Sequence, residues 1–131
     1  MPRSADYITA TGIGVSDLEA SAAFYKAALG MVEARRFHLD HMDEILLAHP
    51  GRNAVILMHW TDGSEPNYRD VPVKLVFYVT DPAAAAQRIR DAGGRITHEP
   101  APNAGMGGAL IALGKDLDGY VIELIQAPAG T

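Results

Sequence analysis

A chain of 131 residues, 48% hydrophobic and without cysteine, carries a formal net charge of −5. That length suits about one domain with enough chain to bury a core, and the missing cysteine excludes disulfides, thiolate metal sites and cysteine catalysis. The acidic balance without a basic cluster argues against nucleic acid as a partner, and no apolar run reaches the roughly 18–20 residues of a membrane span.

The first residues, MPRSADY, lack the apolar stretch of a secretory signal, so a cytoplasmic protein is expected. A strand is predicted near Tyr7–Val15. Ser16-Asp17-Leu18-Glu19 then matches a capping box, with Ser16 as N-cap and Glu19 reaching back. Leu18, Ala22, Tyr25 and Leu29 recur at helical spacing, and Gly30 stops the helix. Strands are predicted at Val32–Leu39, Glu44–His49 and Asn53–Trp60, with Pro50-Gly51 turning between the last two. A polar linker over 61–72 follows. Val73–Val79 reads as a strand, Thr80 or Asp81 as a cap, and Pro82 as an early helical residue. That helix runs to about Ala92, Gly93-Gly94 ends it, and strands follow at Arg95–Glu99, Ala109–Leu113 and Tyr120–Gln126.

The second half repeats the first. Val15-Ser16-Asp17 aligns with Val79-Thr80-Asp81, and Gly30 with Gly94, all at a spacing of 64. One domain over 1–131 is expected, built from βαβββ modules at 7–60 and 73–126. The order of elements gives an α+β class. Strands apolar on both faces, such as EILLAH and YVIELI, call for a cavity, a partner subunit, or both.

GVSDLEASAAFYKAALGM, NAVILM, the helix ending in DAGG, and KDLDGYVIELIQ together resemble the vicinal oxygen chelate superfamily. That group holds glyoxalase I, bleomycin-resistance proteins, fosfomycin-resistance enzymes and extradiol dioxygenases. The resemblance spans about Ile8 to Gln126. It implies paired βαβββ modules that form a curved mixed sheet around a concave cavity, and a homodimer, but no single activity, because the fold hosts many.

The resemblance also implies a divalent metal held from four positions, which the motifs place at Ala10, Leu57, Lys74 and Glu123. The repeat relates Ala10 to Lys74 at a spacing of 64, and Leu57 to Glu123 at 66. Only Glu123 carries a donor. Alanine and leucine have none, and a charged lysine has no lone pair. One carboxylate does not hold a divalent ion. No cofactor is therefore expected, with a divalent metal as the alternative. Lys74 and Glu123 should share a sheet face as an ion pair. Either Lys74 merely neutralises Glu123, or Lys74 binds a substrate oxyanion or acts as an amine nucleophile while Glu123 moves a proton.

Strand alternation puts His59 on the face of Leu57, as a cavity hydrogen-bonding group or as a strand-end polar residue beside Trp60. His38, Asp40 and His41 read as a solvated hairpin tip or, in a loop, as metal ligands. His49 neighbours a turn, and His98 sits at a strand end. The glycine-rich stretch 103–108 lacks the sequel of a phosphate loop and reads as a mobile loop carrying Met106 to a ligand. Tyr78 and Val76 share the parity of Lys74 and line the same wall, and Trp60 and Phe37 offer stacking surface.

Three functions compete. The first is a metal-free protein that binds a small molecule, with Glu123 and Lys74 at the site and His59, Tyr78, Leu57, Ala10, Met106 and Trp60 around the ligand. The second is a lyase, isomerase or dioxygenase-type enzyme of the same superfamily, acting on a small oxygenated substrate. The third is a structural dimer with a vestigial cavity. The polar pair favours the first two, and the lost metal donors favour the first.

Overall fold

The structure is a computed structural model that describes residues 6–69 and 71–130. Most of the N-terminal stretch read for a signal, and Asp70 of the linker, lie outside the described residues. The chain forms β1 (Ala10–Gly14), α1 (Leu18–Leu29), β2 (Val32–His38), β3 (Met42–Ala48) and β4 (Ala54–Trp60). The second half forms β5 (Lys74–Val79), α2 (Pro82–Asp91), β6 (Arg95–Pro102), β7 (Leu110–Lys115) and β8 (Val121–Gln126), with a short 3-10 turn at Ala104–Met106. The strands make two four-stranded mixed sheets, ordered β1-β4-β3-β2 and β5-β8-β7-β6. In each sheet the first strand runs parallel to the last strand of its module.

Both helices start on an aspartate. Asp17 Oδ1 accepts from the Ala20 N–H at 3.0 Å, and Asp81 Oδ1 from the Ala84 N–H at 3.2 Å. The capping box expected at Ser16 and Glu19 is not formed. Ser16 turns instead to Asp118 of the other module, and Glu19 holds Arg36. A carboxylate one residue later satisfies the helix start, so the serine is free for a tertiary bond.

The helix ends also correct the repeat. Gly30 (φ 69°) and Gly93 (φ 102°) both take a left-handed backbone. The next residues, Met31 and Gly94, both donate back into the helix they follow, Met31 to Tyr25 O and Gly94 to Ile89 O. The left-handed stop of α2 is therefore Gly93, one residue before the Gly94 that the spacing of 64 aligns with Gly30. Gly94 is instead a point of close approach, where a Cβ would lie 2.6 Å from the Lys115 carbonyl oxygen and 2.9 Å from the Phe24 ring.

Helices α1 and α2 pack on each other, and buried side chains of both sheets join them in one core around Phe24, Tyr25, Ile45, Leu57, Ile89, Ile122 and Leu124. The modules are also tied by polar bonds. Ser16 Oγ and N–H both donate to Asp118, Tyr25 OH donates to Asp116 at 2.6 Å, and Tyr120 OH donates to the Gly14 carbonyl. Burial pushes the Asp116 carboxyl above the usual carboxylate range. It also drives the Tyr25 phenol well up, with the Asp116 charge adding to the effect.

Candidate functional site

Strand register decides which side chains face outward, because paired residues share a face. Ile13 pairs with Leu57 and Phe77 with Leu124, and these residues belong to or pack against the core. Gly12 pairs with Ile56, and Val76 with Glu123. These four stand on the outer faces, away from the helices.

This corrects the expectation for Leu57. It is fully buried in the core and lines no outer face. The outer position matching Glu123 is Ile56, at a spacing of 67, so the repeat's insertion is one residue longer than the motif alignment implies. A one-residue slip in a strand reverses every side chain. The donor count does not improve, because isoleucine, like leucine, has no ligand atom.

On the second sheet, Lys74 Nζ lies 2.8 Å from Glu123 Oε1. The Lys74 side chain is 55% exposed and that of Glu123 17% exposed. A pair this wet contributes only about 0–1 kcal/mol to stability. Val76 and Tyr78 follow Lys74 on the same face, and both are well exposed. Tyr78, Met106 and Ile125 border one hollow of about 490 Å3 at the far end of β5 and β8. The 3-10 turn, set by left-handed Gly107 and Gly108, brings Met106 there.

The remaining expected residues lie elsewhere. Ala10 is on the outer face of the first sheet, paired with Ala54. His59, on the face of Leu57, has Nδ1 2.9 Å from the Val15 carbonyl and stacks on Tyr68 at 5.4 Å. That places it at a strand end and not on the cavity wall. Trp60 points to the opposite face, and its backbone N–H donates to Tyr68 OH. Tyr68 was missed by sequence reasoning; an aromatic residue alone in a polar linker was its only signal. The four positions of the implied metal are thus split two and two between the sheets.

The histidines offer no other metal centre. His38 pairs with Asp43 at 3.0 Å across an exposed hairpin, and the His41 carbonyl accepts from the Thr61 N–H. His49 Nε2 lies 2.7 Å from the Leu29 carbonyl, at the end of α1. Among the described residues, no group of three or more His, Cys, Asp or Glu side chains is placed to hold a metal ion. The residues present therefore do not fit the divalent ion that the resemblance implies, since Glu123 is one donor and its neighbour is an ammonium group.

Two βαβββ modules, each with a sheet open on the side away from the helices, define a paired-module α+β protein with its candidate site on strand faces. The chain belongs to the glyoxalase/bleomycin resistance protein/dioxygenase superfamily, whose family model matches residues 6–124. It is 36% identical over 123 residues to a lactoylglutathione lyase of Salmonella typhimurium, covering 89% of this chain and 90% of that protein. It is 35% identical to a probable lactoylglutathione lyase of Synechocystis, covering 92% and 95%. Glyoxalase I of Zea mays superposes with a TM-score of 0.76 at 26% identity over 92% of this chain, which spans 44% of the maize chain. An antibiotic binding protein from Streptomyces shares the fold, with a TM-score of 0.74 at 21% identity over 97% of this chain and all (100%) of that one. No helix among the described residues is long and apolar enough to cross a membrane.

Proposed function

We propose that this chain binds a small molecule on the outer faces of its sheets and does so without the superfamily's divalent metal. One observation carries the reading: of Ala10, Ile56, Lys74 and Glu123, only Glu123 offers a donor, and it is paired with Lys74. The exposed Val76 and Tyr78 and the hollow at Met106 supply apolar contact beside that pair. Metal analysis after incubation with nickel, zinc or manganese tests the first half, with no stoichiometric metal expected. Stoichiometric binding that vanishes in Glu123→Ala would restore a metalloenzyme. A thermal-shift screen tests the second half, since a ligand of the native state raises stability by mass action. The stabilisation by any hit is expected to fall in Lys74→Ala and Glu123→Gln, and an unchanged shift removes these residues from the site.

A second reading is favoured by the relatives named lactoylglutathione lyase. In it the chain is an enzyme whose Lys74 stabilises a developing oxyanion while Glu123 moves a proton. Turnover of lactoylglutathione by metal-stripped protein, lost in Glu123→Gln, would favour this reading. The homodimer belongs to the primary proposal. Supporting it, β1 and β5 are free sheet edges, and Val32, Val76 and Tyr78 are exposed. A cytoplasmic setting belongs to it as well, and cell fractionation tests that.

A further inference from the structure

Lys115 on β7 stands opposite Arg95 on β6 and opposite Val121 on β8, and Val121 stands opposite Lys74 on β5. Paired residues share a face, so three cations cross the outer face of the second sheet in one row. They line one hollow of about 550 Å3, with Val71 and Val73 forming an apolar side. Glu123 pairs with Lys74. Asp118 also borders the hollow, but both of its oxygens accept from Ser16. Among the described residues, the side chains of Lys115 and Arg95 have no ion pair or hydrogen bond.

Like charges directly opposite on antiparallel strands destabilise a sheet. Here two unpaired cations sit opposite each other on a chain whose net charge is −5. An anion between them turns that cost into binding. We propose that the hollow takes the anionic group of the ligand, a small oxyanion of more than one negative charge such as a phosphate or dicarboxylate. Arg95 supplies a forked pair of N–H donors, and the two lysines supply point charges. The Tyr78–Met106 hollow lies at the other end of β5 and β8 and takes the ligand's apolar end. This assignment rests on the small-molecule reading above and adds the chemical class to it.

Calorimetric titration of the intact protein with inorganic phosphate and with succinate, against chloride of equal ionic strength, tests the proposal. Saturable binding of at least one of the two anions is expected, one per chain. Lys115→Ala and Arg95→Ala should each weaken it about tenfold or more, the loss of one charge-assisted contact. Their melting temperatures should hold or rise, because a like-charge neighbour is removed. Arg35→Ala, on β2 of the first sheet, should leave binding unchanged. Tighter phosphate points to a phosphorylated ligand, and tighter succinate to a carboxylic acid. Neither anion binding beyond chloride, or equal binding by wild type and both variants, overturns the proposal. Should a neutral screening hit still depend on Lys74 and Glu123 in that case, the small-molecule reading survives alone. Anion binding that depends on Lys115 and Arg95, with no hit stabilised through Lys74 and Glu123, would sink the broader reading instead.

Discussion

Tyr120 shows how one side chain can join two halves of a chain. Its ring is buried and its hydroxyl donates to the Gly14 carbonyl of the first module. Burial, with the charges of Asp118 and Asp116, pushes its phenol up to about 12. A raised pKa means that the stabilisation is complete below the unfolded value of about 10. It is lost as pH climbs through about 12, because the unfolded tyrosine ionises first. Urea midpoints should therefore fall between neutral pH and that range, and Tyr120→Phe should make the fall shallower. Tyr25, also shifted upward, keeps part of it. At neutral pH the variant should lose about 1 kcal/mol, the worth of one hydrogen bond. Identical slopes in the two proteins would show that Tyr120 is not the titrating group. The Lys74–Glu123 pair was legible at this scale through the family resemblance, whose implied metal positions put both residues on one sheet face. The partnership of Ser16 with Asp118 was not, since 102 residues separate them.

At the scale of elements, the glycines that close the two helices are there for different reasons. Gly30 needs its left-handed backbone, yet a side chain there would meet open space. Gly30→Ala is expected to cost about 1–2 kcal/mol, the penalty of that conformation. Gly94 needs room instead, since its Cβ would press on the Lys115 carbonyl, Ile89 and Phe24. Gly94→Ala should cost about 1–3 kcal/mol through overpacking, and should disturb β7 as well as α2. Chemical denaturation with amide-exchange mapping separates the two: fraying confined to the end of α1 for Gly30→Ala, exchange spread into β7 for Gly94→Ala. An unperturbed β7 in the second variant would contradict the packing role. The sequence marked both glycines as helix stops because α1 and α2 share a motif. It did not reveal that Gly93 is the left-handed stop of α2, or that Gly94 lies against β7, because close approach between distant segments leaves no local signal.

On the scale of the molecule, the core lies between the modules and the sheets' other faces stay open. Val76 is 53% and Tyr78 63% exposed on one of them. A second copy covering such faces would remove apolar surface and protect the free edges of β1 and β5. Sedimentation velocity at micromolar concentration is expected to give a dimer, and Val76→Asp a monomer with unchanged helical circular dichroism. A wild-type monomer under those conditions would discard the dimer.

The sequence by itself determined the module, its duplication and the family. Caps, glycine stops and strand periodicity are local signals, and the same order of them occurs twice. At the metal positions that the family resemblance implies, the sequence leaves Glu123 as the one donor, and that count survives the exchange of Leu57 for Ile56. Tertiary structure alone decided which side of β4 faces outward, because strand parity depends on pairing and a single inserted residue inverts it. It alone also assembled the cationic row. Lys74, Arg95 and Lys115 lie far apart in an acidic chain with no basic run, and only the register of four strands sets them side by side.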